Sequence, residues 1–140
     1  MKYKQFNNFW ILRIDRGEEI IESITRCCEE NNITCGVISG IGAVDQLEIG
    51  IYRIREHHFH SKAIEGEFEI TSLNGNISEN EGSVYLHLHI TVADENNVCW
   101  GGHLKQAVVS ATAEICIMVS NGRLIRKKDS ETGLNLIEIN

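Results

Sequence analysis

Residues Ser83–Leu104 read SVYLHLHITVADENNVCWGGHL, and the interpretation of the whole chain turns on them. Val84, Leu86, Leu88, Ile90 and Val92 alternate with Tyr85, His87, His89 and Thr91. A period of two puts these sets on opposite faces of a strand. The apolar set needs a core, and the other set carries two imidazoles that project the same way. Asp94-Glu95-Asn96-Asn97 interrupts the strand, and the chain returns through Trp100-Gly101-Gly102 to His103. If the return pairs with the first strand, a third imidazole arrives beside the other two. Three neutral imidazoles around one point make a divalent-metal site, zinc before others, with a coordination position left over. A plainer reading stands beside this one. Histidines on a half-buried strand face can be amphipathic filler, and a double glycine can mark a bulge or bend. The functional reading of the glycines is that a missing Cβ lets backbone approach a metal-bound ligand.

The remaining 118 positions bound the answer without naming it. A chain of 140 residues is one domain, residues 1–140, long enough to bury a core. It is 42% hydrophobic and 24% charged, the balance of an ordinary globular protein. A net charge of -7 repels nucleic-acid backbone and anionic membrane unless a local basic patch overrides it. The five cysteines (Cys27, Cys28, Cys35, Cys99, Cys116) are odd in number and lack C-x-x-C spacing, so neither a disulfide framework nor a zinc ribbon is expected. Nothing resembles an h-region or a membrane span, and a reduced cytoplasm is the expected location.

Along the chain, Phe9–Ile14 reads as a strand and Glu18–Glu30 as the one helix. The helix carries Ile20, Ile21, Ile24, Cys27 and Cys28 on one stripe, Asp15 as its expected cap and Asn31-Asn32 as its stop. Gly40-Ile41-Gly42-Ala43 predicts a tight bend, Val44–Ile54 and Glu65–Leu73 predict strands, and Asn74-Gly75 predicts a turn. His57-His58-Phe59-His60 is assigned to an exposed edge or loop. Ala113–Val119 is nearly continuous apolar sequence, as in a strand buried on both faces. Glu114 interrupts it. There it either pairs with a backbone or arginine donor, or orients an imidazole from behind the metal. Arg123, Arg126, Lys127 and Lys128 form the only basic cluster, and Leu134, Leu136 and Ile139 suggest a closing strand. Seven or eight strands with one helix predict an α+β fold, a mainly antiparallel curled sheet with the helix on one face. One helix cannot cover both faces, so an oligomer is expected.

DRGEEIIESI, GVISGIGAV, GEFEITSLNGNIS, LHLHITVAD, GGHL, TAEI and RKKDSETGL occur in that order over nearly the whole chain. Together they resemble the PPC domain, "plants and prokaryotes conserved", which stands alone in bacteria and archaea and follows AT-hooks in plant nuclear proteins. The resemblance implies an α/β fold assembled as a homotrimer, with zinc or another divalent metal on His87, His89 and His103. Bacterial members of the family carry a DNA-binding label. In the plant proteins, though, the contact comes from the AT-hook, a proline-containing basic stretch, and this chain has no proline. Glu67 also stands where the family motif usually has arginine. DNA is therefore not an expected partner, whereas the chain itself and other proteins are.

Two functions follow from the residues. One is a metal-binding trimeric scaffold or regulator. The other is a small metal-dependent enzyme using the open position for water, with Asp94 or Glu114, and less readily Glu67 or Glu69, as base.

Overall fold

The computed structural model describes residues 1–139. Among them are eight strands and one α-helix, a mostly antiparallel arrangement. The elements are β1 (Lys2–Phe6), β2 (Phe9–Asp15), α1 (Ile20–Glu30), β3 (Gly36–Arg53), β4 (His58–Asn80), β5 (Ser83–Ala93), β6 (Cys99–Val119), β7 (Ile125–Lys128) and β8 (Asn135–Ile137). A short 3-10 turn, Ile54–Glu56, joins β3 to β4.

The long strands close a circuit. β3 pairs with both β4 and β6, and β5 pairs with the same two. Strands of 18, 23 and 21 residues cannot run straight through so small a protein, so they bend. The bends fall at register shifts in β3 between Gly40 and Gly42 and between Val44 and Gln46. The predicted bend at Gly40–Gly42 is thus a bulge inside one continuous strand, which re-aims the strand without ending it. Asn74-Gly75 is likewise no turn. Both residues lie within β4, opposite His89 and Leu88 of β5. A Cβ on Gly75 would lie 1.9 Å from the His87 carbonyl oxygen, so glycine is what lets β5 close onto β4 beside that histidine.

The helix covers the concave side, packing on β6, β5 and β2. Ile20, Ile24, Cys27 and Cys28 are fully buried against Leu12, Ile14, Leu88, Ile90, Ile115 and Ile117. Its cap is Glu19, not Asp15. One Glu19 oxygen accepts from the Glu22 amide at 2.7 Å and the other from the Ala107 amide of β6 at 2.9 Å. A single carboxylate therefore caps the helix and pins it to the sheet. Asn31 ends the helix as expected.

The last turns of β6 are buried on one face only. Ala113, Ile115 and Ile117 point inward, whereas Glu114 and Met118 are exposed. The apolar look of this stretch came from an outer face that is itself apolar. Val37, opposite Met118, is 60% exposed, and Met118 and Ile41 are each 57% exposed. β1 had no signal in the sequence, because KYKQF is an exposed edge strand held only by its hairpin to β2.

Substituting Gly75 by alanine should lower the unfolding free energy by about 1–3 kcal/mol, the usual cost of overpacking. Urea denaturation measures this. Unchanged stability would mean that the β4–β5 approach is looser than described.

Candidate metal centre

β5 carries His87 and His89 on its outer face, while Leu88, Ile90 and Val92 on the other face enter the core. Asp94 ends the strand. Its carboxylate accepts from the amides of Asn96 and Val98, both at 2.9 Å, and so folds the loop back on itself. The chain then runs antiparallel along β5, and the register places His103 directly opposite His89. On its other side His103 pairs with Gly50 of β3. Gly102 makes room for this, since a Cβ there would lie 2.8 Å from the Gly50 carbonyl oxygen.

The three rings meet. Their centroids are 5.2 Å apart for His87–His89, 5.2 Å for His87–His103 and 5.4 Å for His89–His103. One ring nitrogen from each lies within 4.8 Å of the other two. Bonds of about 2.0–2.1 Å to one tetrahedral zinc would hold three such donors within this limit. Burial pushes the His87 imidazole down to about 4, with the Arg126 guanidinium and the two other rings adding to the effect. His103 is also lowered, mainly by burial. Both shifts favour the neutral imidazole, which is the form that ligates metal. The residues present therefore fit a divalent ion.

The rings lie in the wall of a pocket of about 940 Å³, enclosed by the β3–β4 hairpin, β5, the start of β6 and the C-terminal arm. Phe59 stands edge-on to His103 with centroids 5.4 Å apart. His60, assigned from sequence to an exposed edge, lines this pocket and bonds through Nε2 to Glu56 at 2.6 Å, while His57 and His58 are exposed. Arg126 also belongs here. Its Nε donates to Ser78 Oγ at 2.8 Å, Nη1 to the Asn135 carbonyl at 2.7 Å and Nη2 to Asn76 Oδ1 at 2.9 Å. Nη2 also comes within 3.5 Å of His87 Nδ1, and the guanidinium stacks 4.9 Å above the Tyr85 ring. The RKK run looked like a surface cluster because sequence cannot show that β7 pairs parallel to β4 and turns this one side chain inward. Nothing in Ile125–Lys128 signals this, since the one apolar residue, Ile125, is exposed and Arg126 is the one buried.

The carboxylates considered as bases or orienting groups lie elsewhere. Glu114 is exposed, opposite Arg13 of β2 and Ile41 of β3. It needs no buried partner and is remote from the imidazoles in the register. Glu67 and Asp94 line a smaller pocket of about 370 Å³, and Glu69 is exposed.

The Plants and Prokaryotes Conserved (PCC) domain family matches residues 1–121. Among solved structures, a candidate DNA-binding protein from Bacteroides thetaiotaomicron is 32% identical with a TM-score of 0.95, covering 98% of this chain and 96% of that one. A metal-containing protein from Archaeoglobus fulgidus is 30% identical with a TM-score of 0.87, covering 96% of each chain. A plant- and prokaryote-conserved protein from Pyrococcus horikoshii is 27% identical with a TM-score of 0.87, covering 99% and 94%. Two bifunctional GlmU proteins from Synechococcus strains are 30% and 29% identical over 125 residues, and the chain spans only 18% and 19% of their length.

The lowered His87 value carries a pH dependence. An unfolded histidine titrates near 6.5, so between about 6.5 and 4 the unfolded chain binds a proton that the metal-free fold refuses. The stabilisation is complete above that window and is lost as pH falls through it. Proton NMR of the metal-free protein should place the His87 midpoint near 4, with the melting temperature falling across the same range. A midpoint near 6.5 would contradict the buried, Arg126-flanked setting.

Proposed function

Since the chain belongs to the Plants and Prokaryotes Conserved domain family, we propose that it is a self-associating metalloprotein holding a divalent ion on His87, His89 and His103. The observation that carries this is the convergence of three imidazoles, with burial favouring the neutral form of His87 and His103. Zinc suits the donor set: three nitrogen ligands, no carboxylate, and a fourth position facing the pocket. The metal content of the Archaeoglobus fulgidus relative supports the same reading.

The assembly we propose is a homotrimer acting as a scaffold or regulator toward other proteins. Support comes from the outer face of β3 and β6, where Val37 and Met118 lie side by side and Ile41 is exposed four residues further along β3. Further copies of the chain are its proposed cover. Among the described residues no helix is long and apolar enough to cross a membrane.

DNA is a poor partner on electrostatic grounds. Arg123 is committed to Glu79 by two bonds of 2.7 and 2.8 Å, Arg126 is buried, and Lys127 is paired with Glu138. Arg123 and Lys127 are exposed but offset by these carboxylates, in a chain of net charge -7. A catalytic role is favoured by one feature, the open pocket above the rings. Bound zinc would there supply a Lewis acid and an acidified water. Phe59 and the C-terminal arm would shape access to it, and His60 is a further titratable side chain, outside the triad, that lines the pocket.

Metal analysis should find about one zinc per chain in the wild type and a large loss in His89→Ala, because one of three protein ligands is gone. Equal zinc in both would end the assignment. Light scattering should give the mass of three chains, and Met118→Glu should shift it toward one. A monomeric wild type would refute the assembly. Duplex DNA should bind no more tightly than about 100 μM at physiological salt, the strength of generic attraction.

A further inference from the structure

Arg126 is 6% exposed, yet among the described residues it has no carboxylate partner. Its contacts are a serine hydroxyl, a backbone carbonyl, an asparagine oxygen, a histidine ring and the face of Tyr85. Each satisfies geometry, and none carries a full negative charge. Buried guanidinium groups are ordinarily paired, because leaving the charge uncompensated is costly. The contrast lies three residues away, where Arg123 and the nearly buried Glu79 form a bidentate pair.

The pocket beside Arg126 has the same imbalance. The chain has 20 acidic residues, and among the described residues none lines it. Lys62, Arg126 and the histidines do. The smaller pocket is the reverse, with Glu65, Glu67, Asp94 and Glu95 in its wall. A divalent ion on three neutral imidazoles would add two more positive charges beside Arg126. Among the described residues, no carboxylate in the pocket wall balances them.

We infer that the missing counter-ion is the ligand: the pocket takes a small organic carboxylate with an apolar body, its anionic head seated between the metal position and Arg126. Nη1 donates one N–H to Asn135 and keeps a second for such a head. The body has matching walls. Ile49 and Phe59 face it from the β3–β4 hairpin, and Leu134 and Leu136 from the arm. Arg126 and the apolar wall of Leu134 and Leu136 both come from the segment that follows residues 1–121, the part matched by the family. Tyr52 ties that arm down, donating to the Thr132 carbonyl at 3.0 Å.

This inference rests on the metal reading above, and its test separates the two. The protein is loaded with cobalt(II), cobalt content is measured directly, and the visible bands of the ion report what enters its coordination sphere. Benzoate, its neutral isostere benzamide, acetate and inorganic phosphate are titrated at constant ionic strength. Benzoate should shift the bands and bind about tenfold or more tighter than benzamide, and tighter than acetate or phosphate. Arg126→Gln should erase the preference over benzamide. If circular dichroism shows that variant unfolded, Lys62→Gln at the exposed rim should still reduce the preference several-fold. Bound cobalt with benzamide equal to benzoate would overturn the carboxylate assignment. Acetate or phosphate binding as tightly as benzoate would overturn the apolar body. Absence of bound cobalt would instead overturn the metal reading, and this inference with it.

Discussion

The pairing of β5 with the start of β6 is the constraint on which the rest depends. It sets His89 opposite His103 and leaves His87 one pleat away on the same face. That register exists because Asp94 folds the connecting loop tightly enough for the return strand to start in place. It also needs β6 to lie close to β3 on its other side, which a side chain at position 102 would prevent. A slip of one residue in either pairing would turn His103 toward the opposite face of the sheet. The chemistry of the pocket is thus written in backbone hydrogen bonds first and in side chains second.

The closed circuit of β3, β4, β5 and β6 gives that register its rigidity. Each of these strands is paired on both sides over part of its length, so His89 and His103 sit on the interior of a sheet, while His87 is paired with β4 alone. The helix fills the concavity beneath with Ile20, Ile24, Cys27 and Cys28, and Glu19 fixes its position against β6. The cost is an uncovered outer face, where Val37 and Met118 lie side by side. One strand takes part in both halves of the proposed function: β6 brings His103 to the pocket near its start and exposes Met118 on the uncovered face near its end.

Much of this was legible in the residues. Alternation from Val84 to Val92 revealed a two-faced strand, the Gly-Gly-His return revealed a hairpin, and the apolar stripe of Glu18–Glu30 revealed the helix to within two residues. Local rules failed where a strand bends while staying paired. Gly40–Gly42 and Asn74-Gly75 have turn chemistry, but tertiary pairing overrides it and uses the glycines for bulges and close approach. Glu114 misled because the apolar residues around it divide between a true core and an exposed hydrophobic face, which composition cannot separate. Arg126 was hidden for the opposite reason. It sits in a basic run, and only the parallel docking of β7 on β4 takes it out of solvent.

The central claim is that three imidazoles from two paired strands close on one metal ion. Anomalous diffraction at the zinc absorption edge, from crystals of protein purified without added chelator, addresses it most directly. The account predicts one strong peak per chain, bonded to nitrogens of His87, His89 and His103 at about 2.0–2.1 Å, with the remaining coordination position toward the pocket. A peak elsewhere, or a metal sphere closed by a protein ligand in place of that open position, would contradict it.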